Sequence, residues 1–217
     1  SNKVESSEQD SKKVAESTEK DSNGSDVVLN GNGKVKVYIT SEDRVEELNV
    51  EDYVAGVVSS EMPVSFDMEA LKAQAVAART YMASKLMNKC NKNADADVCD
   101  STHCQVYMSK EKRISNWEEG KGEEYWNKIQ EAVKSTEGQV LSYNGELVLY
   151  PQFFSTSSGK TENSNDANWG DIPYLKSVDS PGEEIAPKFT SEKEVPIDTI
   201  IEKLNEKCPN EGIDINN

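Results

Sequence analysis

The chain has 217 residues, 35% of them hydrophobic, and its 40 acidic against 24 basic residues give a formal net charge of −16. That length suits one globular domain with decorations or two small ones, and the low apolar content implies solvated polar segments beside the core. The acidic excess repels phosphate backbones and excludes nucleic acid as a partner; no run of about 18 apolar residues is present to span a bilayer.

Residues 1 to about 26 contain almost no apolar side chain and predict a disordered tether. Its Asn23-Gly24-Ser25 sequon reads as a chance match. The sequence opens without a signal-peptide pattern and without Met, so any targeting or anchor segment is expected upstream. KVKVYIT (34–40) alternates and is β-rich, and VEELNV (45–50) predicts a second short strand. EDYVAGVVSSEM follows, with Tyr53, Val54, Val57 and Val58 on one helical face. Pro63 turns Met62 away from helical geometry, which puts Glu61 at a helix end or in a turn. Asp67 is a suitable N-cap for a helix over 68–89, whose apolar stripe is Leu71, Ala75, Ala78, Met82 and Leu86.

Residues 90–113 lack periodicity and read as a loop. A helix over 123–138 runs through Trp126, Ile129, Ala132 and Val133 and stops at Gly138. Residues 139–154 form a hairpin about an Asn144-Gly145 turn. The polar stretch 155–170 leaves that hairpin as a long loop, a common place for functional residues. The tail offers a strand in EKEVPI (192–197) and a helix in DTIIEKLNEK (198–207). The pattern is α+β: antiparallel strands and hairpins packed on a few helices.

Two features carry chemistry. Glu61 stands among Val57, Val58, Met62 and Val64. An apolar setting raises a carboxyl pKa and keeps the proton a general acid must give; the plain alternative is a solvent-facing helix end. Arg79 and Lys72 on the long helix, and Lys160 in the loop, read from spacing alone as surface charge. The second feature is Cys90, Cys99, His103 and Cys104, three of the four cysteines with the single histidine. Zinc takes such a Cys₃His set, although the C-x₈-C-x₃-H-C spacing is not a standard finger and the adjacent His103 and Cys104 must share a tight turn. A disulfide and free thiols stay open. A bound zinc would be structural, because one histidine is too few for an open hydrolytic site.

Four strings, VEDYVAGVVSSEMP (50–63), EALKAQAVAARTYM (69–82), VCDSTHCQVY (98–107) and FFSTSSGKTEN…WG…PYLKSVDSP (153–181), together resemble the sporulation protein D (SpoIID) family of lytic transglycosylases. The resemblance implies a catalytic domain over 27–182, with 183–217 peripheral or inserted, and a long Ala-rich helix lining a substrate groove. It implies Glu61 as the catalytic acid, and Arg79, Lys160, Gln105, Tyr107, Ser155 and Ser157 as groove-lining, substrate-binding positions. Arg79 and Lys160 would also favour the ionised form of Glu61, so burial must outweigh them. The implied substrate is peptidoglycan, as glycan strands denuded by a partner, the sporulation amidase/endopeptidase SpoIIP. The implied place is extracytoplasmic, at the mother-cell membrane facing the septal intermembrane space and held by an N-terminal anchor. Some members carry a Cys/His zinc site here and others do not. The family loop reads Ser-Gly-Gly-Lys where this chain has Ser158-Gly159-Lys160, and the family continues into a further basic segment beyond the position of Asn217. A zinc-dependent wall amidase and a non-enzymatic wall-binding module are the rival readings.

Overall fold

The computed structural model describes residues 33–186, 189–209, 211, 212 and 214; the expected tether lies outside them. The first strand, β1 (Lys34–Ile39), alternates as its sequence does, with Val35, Val37 and Ile39 turned inward. It pairs antiparallel with β2 (Arg44–Asn49), Lys34 opposite Asn49 and Ile39 opposite Arg44. A two-residue strand, β3 (Val98–Cys99), lies parallel on the other edge of β1, giving the order β2-β1-β3. This strand falls inside the stretch expected to be loop. Two residues are too few to show a period, and both are buried against β1.

Helix α1 (Val50–Glu61) starts directly from β2 and buries Val50, Tyr53, Val54, Val57 and Val58 completely. It stops where Pro63 requires: Met62 is extended at φ −131°, ψ 135°, leaving Glu61 as the last helical residue. Helix α2 (Met68–Met87) starts after Asp67, whose side chain makes no capping bond. Leu71, Ala75, Ala78 and Met82 are fully buried, and Leu86 packs at the edge of the core. The alanines let neighbouring backbones approach. A short helix, α3 (Lys110–Ser115), is capped by Ser109 and was not expected from its six residues. Helix α4 (Gly122–Ser135) buries Trp126, Ile129, Ala132 and Val133 as its pattern predicts. Beyond it Gly138 takes a left-handed φ of 72°. Helices α1, α2 and α4 and β1 close one apolar core.

Gly56 fixes how close the chain comes to α1. A Cβ there would lie 2.4 Å from the Tyr107 ring and 2.6 Å from the Met108 carbonyl oxygen. Gly56→Ala is expected to cost about 1–3 kcal/mol by overpacking, a fall in Tm of roughly 2–12 °C for a chain this long. Thermal unfolding checks this, and an unchanged Tm would contradict the packing described.

The hairpin forms at the expected turn but is short, β4 (Ser142–Tyr143) against β5 (Glu146–Leu147). Asn144 and Gly145 have φ 54° and 84°, the positive pair that a type I′ turn demands. The described residues divide into two compact units, one ending at Phe153 and one starting at Phe154. That division falls earlier than the boundary expected near 182. The second unit holds an antiparallel bridge between Lys160 and Asp179, a 3₁₀ turn (Glu183–Ile185) and helix α5 (Ile197–Lys207). The strand expected over 192–197 does not form: these residues are exposed, and Pro196 has no N–H to give a ladder. Among the described residues, no helix is long and apolar enough to cross a membrane. The architecture is α+β, as expected, except that its central strand pair β1–β3 is parallel.

Candidate functional site

Glu61 owes its place to the stop signal that ends α1. Glu61 is a half-buried residue, and its Oε1 accepts a hydrogen bond from the backbone N–H of Val106 at 2.9 Å. Its Oε2 takes no hydrogen bond among the described residues. A pocket of about 450 Å³ opens beside it, lined by Ser60, Glu61, Met62, Pro63, Val64, Ser65, Arg113 and Trp117. Lys128 on α4 supports the rim from behind, its Nζ donating at 2.7 Å to the carbonyls of both Val64 and Phe66. Glu61 is the only acid among the lining residues.

Arg113 projects from the last turn of α3 and Trp117 follows it by four residues. The guanidinium lies over the indole, 4.8 Å from the ring centroid. Its Nε is buried without an acceptor among the described residues, and burial lowers the pKa of the group. Neither Arg113 nor Trp117 was singled out from sequence. The available signal was their i, i+4 spacing, which straddles the end of the segment 90–113 read as loop.

The remaining expected site residues behave differently. Arg79 is corrected from groove residue to internal brace. It is completely buried, and all five N–H donors are spoken for. Its Nε donates to Glu51 Oε1 at 2.8 Å and its Nη2 to Glu51 Oε2 at 2.5 Å. The other donors reach the carbonyls of Ala75, Gln139 and Val133 at 3.5, 3.0 and 3.4 Å. The long helix that carries it contributes nothing to the Glu61 pocket, because its small residues face the core. Gln105 is 2% exposed, with the Tyr53 hydroxyl donating to its Oε1 at 3.3 Å and its Nε2 without a partner among the described residues. Tyr107 stacks on Tyr53 with centroids 5.5 Å apart, and burial pushes its phenol up to about 12. Neither lines the pocket; together they flank Val106, whose amide holds Glu61. Lys72 is a surface residue as expected, paired with Glu69 at 2.7 Å.

In the second unit Ser155 and Lys160 are exposed. Ser157 is engaged internally: its hydroxyl donates to Glu183 Oε1 at 2.9 Å and accepts the Gly159 N–H at 3.2 Å. The hydroxyl of Ser180 donates to the same Glu183 oxygen at 2.7 Å, and these bonds lower the Glu183 pKa.

The cysteine cluster assembles as its residue types suggest. Cys99 sits in β3, and Cys90 is drawn beside it by its N–H to the Asp97 carbonyl at 2.9 Å. A turn closed by Cys104 N–H to the Ser101 carbonyl, at 3.0 Å, swings His103 and Cys104 back to Cys99. His103 Nδ1 lies 3.5, 3.6 and 3.5 Å from the sulfurs of Cys90, Cys99 and Cys104. Zinc–sulfur and zinc–nitrogen bonds of about 2.3 and 2.05 Å at a tetrahedral angle imply an S···N edge of about 3.6 Å. The donor set therefore fits a tetrahedral ion in type, number and spacing, and the four donor atoms lie within 4.8 Å of one another. None of these cysteines is in a disulfide, and Cys208, in the second unit, is a free, exposed thiol.

The described residues thus form an α+β domain with one helix-terminal carboxyl at a pocket and a Cys₃His cluster on the segment that also carries Val106. The family model described as Stage II sporulation protein, SpoIID, matches residues 38–143. Stage II sporulation protein D of Bacillus subtilis (strain 168) is 41% identical over 190 residues, covering 85% of this chain and 54% of the relative. Its counterpart in Bacillus amyloliquefaciens is 42% identical over 176 residues, 78% of this chain and 49% of the relative. An amidase enhancer of Bacillus subtilis is 39% identical over 121 residues, 55% of this chain and 14% of that protein. The chain belongs to the stage II sporulation protein D family. It spans about half the length of the sporulation relatives it matches.

Proposed function

We propose that this chain is a lytic transglycosylase that cleaves the bond between N-acetylmuramic acid and N-acetylglucosamine in denuded peptidoglycan strands during sporulation. The observation that supports this best is the single acid of the pocket, Glu61, held at one oxygen by the Val106 amide and, among the described residues, free of hydrogen bonds at the other. Most glycosidases that use water need two carboxyls about 5–10 Å apart across the bond. A lyase recycles one. Glu61 gives its proton to the bridging oxygen, the C1–O bond breaks with its electron pair leaving on that oxygen, and an oxocarbenium-like centre remains. The resulting carboxylate takes the proton of the C6 hydroxyl, and O6 closes on C1 to give a 1,6-anhydro end. The proton is restored to Glu61 and no water is consumed. Mass spectrometry of products from denuded glycan tests this: new ends should be one water lighter than hydrolytic ends, and full-mass ends would overturn the reading.

In this reading Ser155 and Lys160 contact glycan, the sporulation amidase/endopeptidase SpoIIP supplies the denuded strands, and the protein works outside the cytoplasm at the septum, held by an upstream anchor. Zinc is the proposed occupant of the Cys₃His cluster, with a structural role. Cys90, Cys99, His103 and Cys104 would together supply all four donors of a tetrahedral ion and would leave no position for a reacting water, which speaks against the wall-amidase alternative. Zinc at a hundred times its Kd should then stabilise the protein by about 2.7 kcal/mol, raising Tm by roughly 5–11 °C. Native mass spectrometry should find one ion per chain. No shift on adding or chelating zinc would remove the assignment.

A further inference from the structure

We propose that Arg113 is the specificity-determining residue of the Glu61 pocket, its two terminal Nη groups taking a carboxylate carried by the bound sugar. The argument starts from what the guanidinium lacks. It stacks on Trp117 at 4.8 Å, and such stacking occupies the face of a cation while leaving the N–H edge unsatisfied. Its Nε is buried with no acceptor, and the group forms no ion pair or hydrogen bond among the described residues. Glu61, in the same pocket, makes no ion pair with it. A partly desolvated cation without a counter-charge is costly, and the flat fork of donors matches a planar carboxylate.

The other lining residues, Ser60, Met62, Pro63, Val64 and Ser65, carry no charge. A chain of net charge −16 disfavours an anionic strand in general, so a local cation in the pocket helps to hold one. The inference rests on the glycan reading above and deepens it. Muramic acid bears a lactyl ether whose carboxyl is tied up as an amide while a stem peptide is attached. Only amide hydrolysis frees it. Arg113 therefore reads the product of an amidase-class reaction, and the same carboxylate is absent from chitin-type strands.

The test uses the full chain, denuded glycan, and the same glycan with its lactyl carboxyls converted to primary amides. Binding is measured on the Glu61→Gln background with and without Arg113→Gln, so that no cleavage is required. With Arg113 present, the carboxylate glycan should bind about 10- to 100-fold more tightly than the amidated one, the range of a charge-assisted hydrogen-bonded pair. Arg113→Gln should abolish that preference, and Arg113→Lys should restore part of it. In the Glu61 form, Arg113→Gln should raise KM on denuded glycan by the same factor. Equal binding of the two glycans to the protein with Arg113 intact would overturn the proposal, and that comparison stands even if the Arg113 variants fail to fold. A fall in kcat with a displaced pH profile and unchanged KM would also overturn it, by making Arg113 a partner of Glu61. Carboxylate-dependent binding without anhydro ends from the unaltered protein would sink the lyase reading while leaving Arg113 its role.

Discussion

Glu61→Gln should suppress formation of anhydro ends by about 10²–10⁴-fold, the usual contribution of a positioned general acid, with Tm nearly unchanged. The amide keeps the shape of the carboxyl and keeps an oxygen to accept the Val106 N–H, which reaches Glu61 at 2.9 Å. What it loses is the proton to be given and the base to receive one. Glu61→Asp is the informative companion. It keeps the chemistry but retracts the group by one methylene, so it must either drop the Val106 bond or leave the pocket, and activity should fall while remaining measurable. Product analysis together with thermal unfolding reads both variants. Anhydro ends from Glu61→Gln at the unaltered rate would transfer the chemistry to another group.

Arg79→Met should destabilise the protein by about 3–5 kcal/mol, the cost of leaving a buried ion pair half-made, or roughly 6–20 °C in Tm. The substitution abandons the Glu51 carboxylate and the carbonyls of Ala75, Gln139 and Val133 together. Arg79→Lys is no remedy, because three donors on a point charge cannot serve five acceptors laid out for a fork. Removing both charges in Arg79→Met with Glu51→Leu should recover part of the loss, since an apolar pair leaves no buried carboxylate behind. A glycan-binding role for Arg79 predicts the opposite pattern, weakened activity at constant Tm. Denaturation of the single and double variants decides between them.

The elements with several turns or a strict alternation were legible in the sequence. The stripes of α1, α2 and α4 name buried residues correctly because each burial repeats over several turns, and the Asn144-Gly145 pair named its turn because few other residues tolerate both positive φ values. The short elements were not. A two-residue strand and a six-residue helix have no period, and their existence depends on β1 and α4 arriving from elsewhere. Glu61 could be placed at a helix end from Pro63 alone, but what its carboxyl touches, the Val106 amide, is a backbone group that no side-chain pattern reveals. Arg79 was misplaced for a related reason: a charged residue in a recognisable string reads equally as a ligand contact or a buried tie, and only the five acceptors around it distinguish the two. Gln105 and Tyr107 fall the same way, packing residues on either side of the position that matters. The Cys₃His donors were legible by type, while their convergence needed the turn at Ser101–Cys104.

That turn has a thermodynamic corollary. Cys104 lies two residues before Val106, so one short span of backbone carries both a sulfur of the proposed zinc site and the amide that holds Glu61. If zinc and glycan bind as proposed, the two equilibria obey reciprocity: whatever factor zinc would add to glycan affinity by stiffening the span, glycan would add to zinc affinity.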